Sequence, residues 1–109
     1  MILRNKTRKT VVTKELTLAK NMQKVRGLMG ESQPRALLLE THFGIHTCFL
    51  EFPIDILILD DTGKVIKHKK SLSPWRIFLW NPKHQHVLEL PFGTIEKSKT
   101  QLGDILQFY

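Results

Sequence analysis

Asp55 is the residue in this chain best placed to do chemistry, because it is a carboxylate set into the entry of an apolar strand. It lies in Phe52-Pro53-Ile54-Asp55-Ile56-Leu57-Ile58-Leu59. Alternate side chains of an extended strand share a face, so Asp55 falls with Leu57 and Leu59 while Ile54, Ile56 and Ile58 take the other side. With both faces apolar, the carboxylate is expected to be at least partly buried, and a buried carboxylate must be paired or hydrogen-bonded. Arg76, behind the rigid Pro74-Trp75 step, is the natural partner, since a guanidinium can meet a carboxylate through two parallel bonds. On that reading Asp55→Ala costs about 3–5 kcal/mol by stranding the cation. The plainer reading is that Asp55 pins a loop to a sheet.

Histidine supplies a second constellation. His42 and His46 are four apart, His84 and His86 two apart, and on a strand each pair could face one side. Imidazoles suit zinc, copper or nickel, and Cys48 could add a thiolate. The spacing matches no recognised metal motif, and His42 and His84 read equally well as exposed loop residues. No metal and no cofactor is therefore expected. Cys48 sits between Thr47 and Phe49, where a thiol behaves as a small hydrophobe. It shares strand parity with His46, but no third residue is evident to orient such a pair. There is no Gly-x-Ser-x-Gly elbow, no phosphate-cradling glycine loop and no His-Glu-x-x-His helix.

Motifs thus give no argument for an enzyme, and a binding or accessory module is the preferred class. Its site is a shallow pocket between segments 42–55 and 74–80. His46, Thr47 and Asp55 would be polar contacts, Arg76 the charge partner, and Trp75 or Trp80 the aromatic walls. Phe43 and Phe78 are further aromatics in loop-like settings. The opposing reading has the tryptophans only fastening that loop to the body.

Charge offers a rival. The net charge is +7, and residues 1–30 hold eight basic side chains (Arg4, Lys6, Arg8, Lys9, Lys14, Lys20, Lys24, Arg26) against Glu15 alone, whereas residues 31–109 are balanced at nine and nine. Such asymmetry bears on polyanion attraction rather than on fold. Nucleic-acid or anionic-surface binding through Arg4, Lys6, Arg8, Lys9, Lys20, Lys24 and Arg26 follows as the alternative. No aromatic interleaves these cations, as stacking on single strands would require. A small metal-dependent or hydrolytic enzyme is the third class. The partner is accordingly a small ligand or a protein, with nucleic acid the less favoured choice.

The positioning elements come from periodicity. Residues 9–18, 36–39, 45–52, 54–59, 64–68, 86–90 and 105–109 read as strands. Asp60-Asp61-Thr62-Gly63 is a hairpin turn. Met22, Val25 and Met29 recur at helical spacing over 20–29, and residues 94–100 allow one helical turn capped by Thr94. Residues 71–84 look like a long ordered loop or a broken strand. One hundred and nine residues suit a single domain, with residues 1–9 a basic segment able to serve as an edge strand. One cysteine excludes an intrachain disulfide. No apolar stretch reaches secretory or membrane-spanning length, so a cytosolic setting is expected. The fold class is mainly β: a small β-sandwich or open barrel, jelly-roll-like, with one or two short helices.

Several ordered strings carry a resemblance across residues 10–108. They are Arg26-Gly27-Leu28-Met29, Gly44-Ile45-His46-Thr47, Phe52-Pro53-Ile54-Asp55-Ile56 with Leu59-Asp60 and Gly63-Lys64-Val65, Pro74-Trp75-Arg76, Val87-Leu88-Glu89-Leu90-Pro91-Phe92-Gly93-Thr94 and Gly103-Asp104. Together they resemble the domain of unknown function 192 family. The resemblance implies a small jelly-roll-like sandwich, found in bacteria and archaea both free-standing and behind signal peptides, with no established activity. The chain departs from the family pattern at Cys48-Phe49-Leu50-Glu51, where an aromatic, a methionine and a basic residue are usual, and at Phe92, where a small residue is.

Overall fold

The run Ile54–Leu59 becomes a strand buried at every position, because the sheet that contains it is covered on both faces. The computed structural model describes residues 1–19, 35–41, 44–48 and 50–109. The helix expected over 20–29 lies outside the described residues. Among them the chain forms β1 (Leu3–Asn5), β2 (Thr10–Thr13), β3 (Leu16–Leu18), β4 (Ala36–Glu40), β5 (Gly44–His46), β6 (Ile54–Leu59), β7 (Val65–Leu72), β8 (Ile77–Leu79), β9 (His86–Pro91), α1 (Thr94–Lys97) and β10 (Leu106–Phe108).

Five strands in the order β3-β4-β9-β6-β7 make the main sheet. β3 and β4 run parallel; the other neighbours are antiparallel. A three-stranded sheet, β10-β1-β2, packs over one face, and a two-stranded ribbon of β5 and β8 lies toward the other. The alternation read in β6 holds. Leu57 and Leu59 join Leu3, Val12, Leu88, Leu90, Ile95 and Leu106 in one core layer. Ile54, Ile56 and Ile58 join Leu37, Leu39, Phe52, Trp80 and Val87 in the second, with Ile45 and Phe78 of the ribbon packed against it. The mainly-β class is correct, and among the described residues the sheets stay separate rather than closing into a barrel.

Several expectations need correction. Lys14-Glu15 splits the strand read over 9–18 into β2 and β3. β5 stops at His46, and Thr47, Cys48 and residues 50–52 are not strand; there Thr47 turns inward to bond a loop instead of a neighbouring strand. Conversely β7 runs on to Leu72, and β8 forms inside the segment read as a loop. Thr94 does not cap α1: the cap position is Gly93, whose φ of 89° suits glycine, and the Thr94 hydroxyl donates to Pro91 C=O at 2.6 Å. Finally, β1 is not an edge strand. It occupies the middle of its sheet, paired with β2 and, across about the whole chain, with β10 (Leu3 opposite Phe108).

What draws β1 in is buried polar chemistry. Asn5 and Asp104 are both buried. Asn5 Nδ2 donates to Asp104 Oδ2 at 2.9 Å and to Thr100 Oγ1 at 3.1 Å, and Arg8 Nε donates to the same carboxylate at 3.0 Å. Burial alone would raise the Asp104 pKa. The bonds from Arg8, Asn5 and the Gln101 N–H, together with the Arg8 charge, outweigh it and hold the carboxyl below its ordinary value. A depressed pKa contributes stability that is present above the unfolded value and lost as pH falls through the folded one. Thermal unfolding followed from pH 7 downward should therefore show an acid-side loss that Asp104→Asn abolishes, at the cost of a lower Tm at pH 7. An unchanged acid limb in Asp104→Asn would refute this assignment.

Candidate functional site

The site expected between 42–55 and 74–80 is built by two buried side chains that hold a contorted loop. β7 carries one extra residue against β6: Ile54 pairs with Leu72 and Ile56 with Lys69, which leaves a bulge at Lys70-Ser71. At that bulge Ser71 has φ 50°, in the left-handed region. Its N–H leaves the ladder and donates to Asp55 Oδ1 at 2.8 Å. Asp55 Oδ2 accepts the Ile95 N–H at 2.9 Å, in the first turn of α1. A strand carboxylate thus satisfies both a bulge and a helix start, where negative charge is also favoured by the helix dipole.

This corrects the expected Asp55–Arg76 pair. Asp55 is 1% exposed and its two oxygens are engaged by backbone N–H groups, while the Arg76 side chain lies at the surface. The physical reason is that the bulge and α1 bring their amide donors directly onto the carboxylate.

Thr47 does the matching work from the other side and is also fully buried. Its hydroxyl donates to Ser73 C=O at 2.6 Å and accepts the Arg76 N–H at 2.8 Å. Its own N–H donates to Arg76 C=O, and its C=O accepts the Trp75 N–H at 3.0 Å. Trp75 is held at φ 63°, a second non-glycine residue in the left-handed region within five positions. Such conformations cost about 1–3 kcal/mol each and persist only where the surroundings over-determine them.

The loop so held borders an open groove of about 400 Å³, lined by Lys69, Ser71, Leu72, Ser73, Arg76, Ile77 and Phe78. β7 is the last strand of the main sheet and β8 the outer strand of the ribbon, so the groove runs between two sheet edges. Lys67 crosses from β7 to β8: its Nζ donates to Leu79 C=O at 2.7 Å and sits 4.9 Å over the Phe78 ring. The lining has two cations and no acid. Along the same segment Trp75, Ile77 and Leu79 are exposed at 58%, 71% and 55%.

The remaining expected site residues are distributed as follows. His46 ends β5, exposed and opposite Ile77, and its Nδ1 accepts the Cys48 N–H at 3.3 Å. Trp80 is no pocket wall. It is buried in the second core layer, 6.1 Å from the Phe78 ring, with Nε1 donating to His84 C=O. His86 starts β9; His42 and Phe43 lie outside the described residues. No group of three metal-ligating side chains occurs among the described residues. Of the N-terminal cations, Arg4, Lys6 and Lys9 are exposed and Arg8 is held by Asp104 and Gln101, whereas Lys20, Lys24 and Arg26 lie outside them.

One acid was missed. Glu89 is 4% exposed in β9, in register with Leu37 and Ile56 on the second core face. Desolvation pushes its pKa up to about 7. The alternation of Val87 and Glu89 against Leu88 and Leu90 suits an outward polar position, and only coverage of both sheet faces makes it a buried one.

A family model described as uncharacterized ACR matches residues 2–108. The chain belongs to the domain of unknown function 192 family. A UPF0127 protein of Pyrococcus horikoshii is 30% identical over 94 residues, 81% of each chain, and one of Pyrococcus furiosus 29% over 112 residues, 95% of each. Among solved structures, a Sinorhizobium meliloti protein provisionally described as a transcription regulator superposes with TM-score 0.82 at 21% identity, covering 97% of this chain and 89% of that one. A Novosphingobium aromaticivorans protein of unknown function gives 0.80 at 14%, covering 98% and 82%. These structures share the fold. The family match begins at residue 2, so it takes in the basic N-terminal segment together with β1.

Two measurements test this account. Asp55→Ala should lose about 2–4 kcal/mol in denaturant unfolding by leaving two N–H groups unmet, while Arg76→Ala should change stability by less than about 0.5 kcal/mol; equal losses would restore the ion pair. For Glu89 the folded pKa lies above the ordinary 4.5, so stability falls as pH rises from about 4.5 to about 7 and levels off beyond. At ~1.4 kcal/mol per pH unit the loss is on the order of 3 kcal/mol. Glu89→Gln should flatten that slope; an unaltered slope refutes the assignment.

Proposed function

We propose that this domain is a binding module whose site is the groove between β7 and β8, bounded by loop 73–76. The observation that supports this reading most is the loop itself. Ser71 and Trp75 both sit at positive φ, held there by buried Asp55 and Thr47, and strain maintained in this way clusters at ligand sites. The groove offers an apolar side from Leu72, Ile77 and Phe78 and two cations in Lys69 and Arg76. That combination suits a ligand with an apolar body and an anionic group. His46, Thr47 and Asp55 keep roles in this proposal, His46 on the ribbon beside the groove and the other two as supports of its wall rather than as ligand contacts. Nucleic-acid binding through the N-terminus is less well supported: Arg8 is held by a buried carboxylate, and although the exposed Phe108 of the paired β10 strand and the following Tyr109 lie beside Arg4, no groove is formed there by the described N-terminal cations Arg4, Lys6 and Lys9.

The test is a thermal-shift panel of aliphatic and aryl carboxylates, with oligonucleotides at two salt concentrations as the competing arm. At ~100 times its Kd a groove ligand should add about 2.7 kcal/mol of stability, and Arg76→Ala or Ile77→Ser should remove that gain without altering the apo Tm appreciably. A salt-sensitive shift with oligonucleotides alone, untouched by the groove variants, would transfer the function to the N-terminal cations.

A further inference from the structure

We infer that the occupant of this groove is an extended acidic peptide segment that adds as a strand to the free edge of β8. The inference rests on the binding-module reading and names its partner. Thr47 N–H donates to Arg76 C=O, so Arg76 turns its carbonyl toward β5. Backbone groups of successive residues alternate in an antiparallel pair. Phe78 therefore also faces β5, and Ile77 and Leu79 face the opposite way, into the gap between β8 and β7. Lys67 confirms the direction, since it reaches Leu79 C=O from β7. That ammonium satisfies one acceptor of the free edge. The His46–Ile77 pair is thus the non-bonded one of the ribbon, no bond beyond the strand ladders reaches the Ile77 N–H or C=O among the described residues, and Ile77 lines the groove.

An unpaired edge beside a groove between two sheets is the geometry of β-strand addition, in which main-chain bonds give affinity and alternate side chains give selectivity. The charge decides the partner. Lys69 and Arg76 line the groove, Lys67 bridges one end, and no lining residue is acidic. The whole chain carries +7. A second copy meeting β8 edge to edge would set these cations against their own images, so self-pairing is disfavoured and an acidic partner is favoured. An anionic bilayer would satisfy the cations and the exposed Trp75, Ile77 and Leu79, but it offers no ladder of donors and acceptors for the Ile77 backbone.

The experiment uses the full chain, isotopically labelled, with a fluorescent capped peptide of alternating glutamate and valine as the probe. Three comparison ligands accompany it: the lysine–valine counterpart, the acidic peptide N-methylated at alternate amides in either register, and phosphatidylglycerol vesicles. Strand addition predicts saturable binding of the acidic peptide with a large Ile77 amide shift. It also predicts a loss of about tenfold or more from N-methylation in one register but not in the other. Lys69→Glu with Arg76→Glu should exchange preference toward the lysine peptide. Equal affinity for both N-methylated registers would overturn strand addition. Vesicle binding without peptide binding would overturn it in favour of a membrane. If an apolar carboxylate binds at the groove and no peptide does, the strand inference fails and the binding-module reading survives. If neither binds, both fail.

Discussion

The Asp55 carboxylate, shared between the Ser71 and Ile95 amides, is the interaction on which the rest of this architecture hangs. β6 lies between β9 and β7, β7 is the outer strand, and α1 follows β9. One buried side chain ties all three together. Through Ser71 it fixes where β7 breaks its ladder, and through Ile95 it fixes where the chain leaving β9 turns back over the first core layer. An arginine partner would have given a salt bridge of similar strength at most. Two backbone donors give geometry, because each belongs to a different element and neither can rotate away. Thr47 repeats the device at the ribbon, meeting the 73–76 loop through hydroxyl, N–H and C=O together.

Two of the strands that bury both faces were readable from sequence, since β4 and β6 are nearly unbroken apolar runs, whereas the alternation of Glu89 in β9 concealed its burial. The face assignment of Asp55 was equally readable, because period two leaves no freedom once the strand is granted. Its partner was not. Backbone amides carry no signature in sequence, so a carboxylate that binds them looks identical to one awaiting a cation, and Arg76 was the visible candidate. β8 was hidden for a related reason. Ile77-Phe78-Leu79 is short and flanked by prolines, and its pairing with β5 is set by Thr47 rather than by strand propensity. Phe78 and Trp80 in turn serve the core rather than the solvent, which is the ordinary outcome for large aromatics.

Two buried acids outside the expected site show the limit of sequence reading from opposite directions. Asp104 and Glu89 are buried to a similar degree. Asp104 has a guanidinium, an amide side chain and a backbone N–H within 3.0 Å, and so remains an anion. Glu89 has apolar neighbours on both adjacent strands, and burial acts on it unopposed. Nothing in either local sequence separates them; the difference lies in what the fold brings from some 100 residues away in one case and does not bring in the other.

Pairing β1 with β10 has a consequence for how the molecule is made. Synthesis proceeds from the N-terminus, so β1 emerges with its Asn5 amide and its second ladder unmet until residues 100–108 follow. β2 can join at once, being a few residues away, but the three-stranded sheet and one side of the first core layer remain open until residues 106–108 have emerged. The strand that completes this sheet is therefore made well after β1, and a growing chain held short of it would present Leu3 and Val12 to solvent.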